Sequence, residues 1–122
     1  MKEKNTSYIL HPSLEEQLRR LGEDLRLART LRGITMEDMA QRIGVSRETL
    51  RRLEKGHAGV SLGVVAQALW VLNLEGNINN IASLAVDERG QALVAQQAKN
   101  RVTKARIRTS KAGIAQSDKY DF

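Results

Sequence analysis

Apolar side chains recur every three or four residues after His11-Pro12, and this spacing predicts a long first helix. Ser13 and Glu16 would form its capping box, and Gly33 would end it. Gly22 lies inside the pattern and is expected to mark a kink or a break, because glycine costs a helix about 1 kcal/mol relative to alanine. The apolar stripe of this helix is Leu14, Leu18, Leu21, Leu25, Ala28 and Leu31.

Residues 35 to 56 predict two short helices joined by a tight turn. Thr35 can cap the first helix, and Gly44 stands where that helix stops and the chain can need a positive φ. Ser46 can cap the second helix, and Gly56 ends it. The buried stripe of the second helix would be Val45, Leu50 and Leu53. The pattern is that of a helix-turn-helix.

Two further helices are expected beyond this pair. Ser61 can cap an apolar helix from residue 62 to 72, which Asn73 would stop. A fifth helix of about two turns is indicated by Leu74, Ile78, Ile81 and Leu84. Residues 91 to 97 can form either a short strand or a turn of helix.

The second helix of the pair carries basic side chains on the face opposite its apolar stripe. Such a helix suits the major groove of duplex DNA, where each base pair presents a distinct hydrogen-bond pattern. We expect Arg47 to bind guanine, Glu48 to accept from cytosine, and Arg52 to contact a base or a phosphate. The alternative to DNA binding is that the arginines simply form a solvated face of the helix. Residues expected at the DNA backbone are Ser46, Thr49, Arg51, Lys55 and Ser61.

The segment A-Q-R-I-G-V-S-R-E-T-L-R-R-L-E-K-G at residues 40 to 56 resembles the Cro/C1-type helix-turn-helix family, also called XRE-like. The resemblance implies an all-α, compact five-helix, lambda-repressor-like domain, and the charge distribution adds a basic C-terminal tail. It also implies that Glu54 forms a structural ion pair with Arg29. Met36 departs from the glutamine common in the family, and Arg47 with Glu48 departs from the amide-rich pair of some phage repressors, so the operator sequence cannot be carried over.

Residues 20 to 85 also resemble antitoxins of the HipB kind, through L-G-E-D-L-R-L-A-R-T-L-R-G-I-T-M-E-D-M-A and V-S-L-G-V-V-A-Q-A-L-W-V-L-N-L. This resemblance implies a dimer that represses its own operon and sequesters a HipA-like serine/threonine kinase toxin. The alternatives are a stand-alone, phage-like repressor without a toxin and a protein-interaction module with weak DNA binding.

More apolar side chains follow the helix-turn-helix than a domain of this size can easily bury by itself, although Trp70 can equally belong to the core. This excess predicts a homodimer, which would bind a palindromic operator. The expected interface residues are Trp70, Leu74, Ile78, Ile81 and Leu84.

The net charge of +6 is concentrated near the C-terminus. Residues 1 to 98 hold thirteen Lys or Arg against twelve acidic residues, whereas residues 99 to 122 hold seven against two. We expect an N-terminal arm at 1–12, a DNA-binding and dimerisation domain at 13–86, and a basic, partly disordered extension at 87–122. The extension can contact phosphates, dock on an acidic partner, or serve only to solubilise the chain.

The remaining composition argues against other classes of function. The chain has no cysteine, which excludes disulfides and thiolate metal sites and is compatible with a cytoplasmic location. His11 and His57 belong to no catalytic or zinc-binding pattern, so we expect no enzyme, no metal and no cofactor. No signal peptide or membrane span is evident, and four aromatic residues are too few for a single-strand stacking platform. The expected nucleic acid is therefore double-stranded DNA.

Overall fold

A computed structural model of the protein describes residues 9–112. The α-helices are α1 (Pro12–Leu31), α2 (Met36–Ile43), α3 (Arg47–Glu54), α4 (Leu62–Val71) and α5 (Glu88–Ala112), and 3-10 helices form at Glu75–Asn80 and Leu84–Val86. No strand occurs in this part of the chain. The all-α, lambda-repressor-like expectation is confirmed. The described residues divide into two compact units, residues 9–78 and 79–112.

Three serine or threonine side chains cap helices of the first unit as the sequence predicts. At the start of α2, the Thr35 hydroxyl accepts a hydrogen bond from the amide of Asp38 at 3.1 Å. The Ser46 hydroxyl accepts from the Thr49 amide at the start of α3. The Ser61 hydroxyl accepts from the Val64 amide at the start of α4. Each cap satisfies an amide that has no partner within its helix, so the starts of these helices are encoded locally.

Helix α1 differs from its prediction in two respects. It begins at Pro12 with His11 as the cap, because the His11 Nδ1 accepts from the amide of Ser13, so the expected Ser13 capping box does not form. It also continues without a break through Gly22. A Cβ at Gly22 would lie 2.5 Å from the Glu54 carbonyl oxygen, so the absence of a side chain allows this close packing.

The core of the first unit is built from all four of its α-helices. Its most completely buried side chains are Met39 from α2, Leu50 from α3 and Leu72 from the end of α4, each 1% exposed or less. The remaining buried apolar residues are Leu25, Ile34, Ala40, Ile43, Leu53, Ala68 and Leu69. The apolar faces of α2, α3 and α4 therefore meet in one cluster, to which α1 contributes Leu25. In the predicted apolar stripe of α1, Leu14, Leu21 and Leu31 are instead exposed.

The expected fifth helix of about two turns, from Leu74 to Leu84, is not present. Asn73 ends α4 with a positive φ of 63°, and a 3-10 helix follows at Glu75–Asn80. The sequence E-G-N-I-N-N explains the difference, because glycine and asparagine are poor helix formers. The Asn77 side chain also donates to the Leu74 carbonyl at 3.1 Å, a local bond that competes with α-helical geometry.

The second unit holds the long helix α5, in the region where the sequence suggested a partly disordered extension. Asp87 stabilises the start of the helix by accepting from the amide of Gly90 at 2.9 Å. Gln91 donates to the carbonyl of Leu84, which anchors the helix on the second 3-10 helix. Alanine, glutamine, lysine and arginine favour helix, and their number outweighs the charge that suggested disorder. Residues 113 to 122 lie outside the described part.

The short strand considered for residues 91 to 97 is helix in the structure. Within residues 9–112 no helix is both long enough and apolar enough to cross a bilayer.

Candidate nucleic-acid interface

The turn between α2 and α3 has the geometry that the sequence predicts. Gly44 has a φ of 87°, a backbone conformation that residues with a side chain rarely adopt. The amides of Gly44 and Val45 both donate to the Ala40 carbonyl, at 2.8 and 3.0 Å. Val45 is half-buried against the core. The turn therefore sets the direction in which α3 leaves α2.

A buried ion pair fastens the C-terminal end of α3 to α1. The Arg29 Nε donates to the Glu54 Oε2 at 2.7 Å, and the Arg29 Nη2 donates to Oε1 at 3.0 Å. A third bond runs from the Arg29 Nη1 to the Ile34 carbonyl. Both charged side chains are at least nine-tenths buried. The pair that the family resemblance implied is present, and its bidentate geometry fixes the orientation of α3.

Two glycines allow α1 to lie unusually close to the end of α3. A Cβ at Gly56 would lie 2.4 Å from the Leu18 carbonyl oxygen, in the same region where Gly22 approaches Glu54. Gly56 also has a φ of 78°. Sequence reasoning assigned both glycines local roles and missed this packing, since a close approach between distant segments leaves no local signal.

The opposite side of α3 is open to solvent. Arg47 and Glu48, in the first turn, are exposed, and Arg51 and Lys55 follow on the same exposed side. Within residues 9–112, Arg47 forms no salt bridge. Its guanidinium is therefore available to a ligand in front of the helix.

Glu48 and Arg51, which were expected to contact a base and the backbone separately, form a salt bridge with each other. Their side chains are 65% and 46% exposed, so the pair is accessible to an incoming ligand. The spacing of three residues on a helix is the signal that predicts such a pair. In the free protein, the Glu48 carboxylate thus partly neutralises the basic face.

Arg52 is half-buried and lies beside the loop between α3 and α4. A Cβ at Gly59 would be 3.5 Å from the Arg52 Nη2 and 3.2 Å from the His57 Nδ1. The His57 Nδ1 in turn accepts from the Gly59 amide at 3.0 Å. Arg47 and Glu48, the other residues expected to contact bases, are exposed, whereas Arg52 lies beside the α3–α4 loop.

The hydroxyl residues expected at the DNA backbone have roles inside the protein. Ser46 accepts from the Thr49 amide and also donates to the Thr49 hydroxyl at 3.1 Å. Thr49 is half-buried, whereas Ser46 and Ser61 are exposed. The caps place these residues at the N-termini of α3 and α4, where helix amides and the helix dipole favour an anion.

The residues expected in a dimer interface are largely exposed. Trp70 is 61% exposed, and Ile78 is 37% exposed, while Leu74 packs on the core. In the second unit, Ile81 and Leu84 are 70% and 51% exposed. The alternative that Trp70 simply belongs to the core does not hold within a single chain.

The described residues contain no cluster of His, Cys, Asp or Glu that could hold a metal ion.

A helix-turn-helix family model matches residues 25–75. This segment runs from within α1 to just beyond α4 and includes the Gly44 turn and the whole of α3. The match supports a Cro/C1-type, or XRE-family, helix-turn-helix domain and hence a DNA-binding transcriptional regulator. Comparisons with curated proteins and with solved structures gave no match.

Proposed function

We propose that the protein is a sequence-specific repressor that binds double-stranded DNA as a homodimer. The observation that carries the proposal is the first turn of α3, where Arg47 and Glu48 are exposed on a helix that a buried ion pair and a capped turn hold in place. A rigid helix with open polar side chains at its N-terminal end is what base recognition in the major groove requires.

Arg47 and Glu48 complement the two bases of a G·C pair. The guanidinium of Arg47 can donate both of its bonds to guanine O6 and N7, and the Glu48 carboxylate can accept from cytosine N4. Because Glu48 is paired with Arg51 in the free protein, binding would exchange that exposed salt bridge for contacts with DNA. An exposed pair is worth about 1 kcal/mol or less, so the exchange is energetically accessible.

Phosphate contacts would fix the position of the domain on the duplex. Arg51 and Lys55 lie four residues apart on the exposed side of α3 and can each approach a phosphate. Ser46, Thr49 and Ser61 mark the two helix N-termini that can receive backbone oxygens. We place Arg52 third among the base-contacting residues, because it would first have to leave the loop beside Gly59.

A homodimer would cover the exposed apolar side chains after α3 and place two α3 helices on a palindromic site, about 34 Å apart. The expected interface residues are Trp70, Leu74, Ile78, Ile81 and Leu84. Sedimentation equilibrium of wild type and Trp70→Ser tests this arrangement. We expect weaker association in Trp70→Ser but not in Leu62→Ser, which removes another exposed apolar side chain of α4. Equal association of all three proteins would contradict the interface.

DNA recognition is tested by fluorescence anisotropy with the DNA upstream of the protein's own coding sequence and with scrambled DNA of equal length, at ~150 mM salt. A preference of ~10³-fold or more for the upstream DNA would establish sequence-specific binding. Equal affinity for both would overturn the stand-alone repressor and leave a partner-dependent regulator or a protein-interaction module.

A finer proposal is that the repressor is the antitoxin of a HipBA-like module that autorepresses its operon and neutralises a serine/threonine kinase toxin. Its support is the sequence resemblance over residues 20 to 85. If a kinase is encoded beside the protein, co-expression should yield a complex that binds the operator more tightly than the protein alone. Separate elution of the two proteins, or the lack of a neighbouring kinase, would leave the stand-alone repressor.

A further inference from the structure

We infer that α5 is a second DNA-binding element, which contacts the phosphate backbone without regard to base sequence. The inference rests on the DNA binding proposed above, and it adds an element outside residues 25–75. It starts from the five cationic residues of the helix between positions 99 and 108: Lys99, Arg101, Lys104, Arg106 and Arg108.

These cations have no acidic neighbour with which to pair along the helix. The preceding acidic residue in the sequence is Glu88 and the next is Asp118, both at least ten positions away from the cationic segment. A helical ion pair needs a spacing of three or four residues. The positive charges therefore repel one another within α5, and an external polyanion would relieve that repulsion.

The cationic segment is open to solvent along its whole length. Every residue from 91 to 109 is exposed, so the helix is open to solvent on all sides beyond the bond from Gln91 to the Leu84 carbonyl. The five cations cover about 14 Å of helix axis, at 1.5 Å per residue. Duplex DNA carries one negative charge per about 1.7 Å of its own axis, so each cation has several phosphates within reach.

The distribution of charge around the helix favours DNA over an acidic protein. Arg101, Lys104 and Arg108 follow the spacing of one helical face, whereas Lys99 and Arg106 lie seven residues apart on the opposite side. A groove flanked by two phosphate strands offers negative charge to both sides of a helix.

The apolar side chains of the same segment do not form an anchor for a protein partner. Val102 and Ile107, its largest apolar residues, are 52% and 54% exposed. They are five residues apart and thus point about 140° away from each other. Residues 99 to 111 also contain no aromatic residue, the type most enriched at protein interfaces.

The test compares Arg101→Gln/Arg108→Gln with wild type in the full-length protein, on a scrambled duplex of ~30 base pairs from 50 to 200 mM KCl. Two lost phosphate contacts should reduce the slope of log K against log salt by about 1.8. The loss of affinity should then be about tenfold larger at 50 mM than at 200 mM. Arg101→Lys/Arg108→Lys should keep the wild-type slope, since lysine also neutralises phosphate.

The matched control is Arg20→Gln/Arg26→Gln, which removes two exposed charges from α1. An unchanged slope in the α5 variant, with helicity preserved by circular dichroism, would overturn the inference. An equal change in the α1 control would also overturn it, because the effect would then reflect net charge alone. Because scrambled DNA is used, the result is separate from sequence recognition. If the wild type bound upstream and scrambled DNA equally, the stand-alone repressor would be overturned, while a flattened salt slope in the α5 variant would still support DNA contact by α5.

Discussion

The carboxylate of Glu54 and the guanidinium of Arg29 lie 2.7 Å apart, from Oε2 to Nε, although the residues are 25 positions apart in the chain. The two side chains are only 5% and 8% exposed, so neither charge has water as an alternative partner. Removing one member would leave the other buried and uncompensated, which is much more costly than losing a surface pair.

Glu54→Gln should therefore lower the free energy of unfolding by about 3–5 kcal/mol. Urea denaturation followed by circular dichroism, at one fixed protein concentration, measures this loss. Glu48→Gln is the matched control, because it breaks the exposed pair with Arg51 and should cost no more than about 1 kcal/mol. Similar losses in the two variants would show that Arg29 and Glu54 do not act as a buried pair.

Gly22→Ala tests the close approach of α1 to the end of α3. Alanine favours helix, yet a Cβ 2.5 Å from the Glu54 carbonyl oxygen forces the helices apart, so we expect a loss of about 1–3 kcal/mol. The control is Gly63→Ala in α4, where the nearest atom would be 3.9 Å away and the variant should gain up to about 1 kcal/mol. Thermal unfolding of the two variants should shift in opposite directions.

Arg47→Ala tests direct recognition of a base pair by α3. It should weaken binding to the operator by about 1–3 kcal/mol and relax discrimination at one position, as measured with a set of single-base operator variants. Arg26→Ala removes an equal charge from an exposed position of α1 and should leave discrimination intact. A uniform loss on all sequences would reassign Arg47 to the phosphate backbone.

Glu48→Gln should raise the affinity for scrambled DNA, because it removes a negative charge from the basic face and releases Arg51 from its salt bridge. The same change should reduce discrimination at the base pair that Glu48 contacts. Anisotropy at two salt concentrations distinguishes the two effects, since only the charge effect weakens with salt. Unchanged binding to both DNAs would place Glu48 outside the interface.

The pKa of Glu16 provides a test of the ion pairs along α1. The Arg19 guanidinium donates to the Glu16 carboxylate at 2.6 Å and holds the pKa of Glu16 below its ordinary value of 4.5. A depressed pKa contributes stability above the unfolded-state pKa, and that stability is lost as the pH falls through the folded-state value. In Arg19→Gln the pKa of Glu16, followed by NMR titration, should rise toward 4.5, whereas Arg26→Gln should leave it in place.

The local features of the helix-turn-helix could be predicted from the sequence. Thr35, Ser46 and Ser61 cap the helices that they were expected to begin, and Gly44 has the positive φ that its position suggested. Such features depend on a side chain and on backbone groups three residues away, so the sequence of one short segment is sufficient.

Predictions made from apolar spacing or charge without helix propensity were less accurate. The apolar spacing from Leu74 to Leu84 suggested a fifth α-helix, but the glycine and asparagines between them are poor α-helix formers. Conversely, the charge of the C-terminal region suggested disorder, although its alanines, glutamines and arginines form α5. In each case the prediction used one property of the segment, its apolar spacing or its charge, and left out the helix propensity of its residues.

Local sequence was sufficient to predict where the helices of residues 35 to 72 begin, which face of each is apolar, and that α3 carries its cations on the other face. How α1 and α3 meet could not be predicted in this way, because Gly22 contacts the Glu54 carbonyl and Gly56 contacts Leu18 only in the folded domain. The difference lies in the range of the interactions. Caps and periodicity act over three or four residues, whereas these contacts join segments that are brought together only when the core forms.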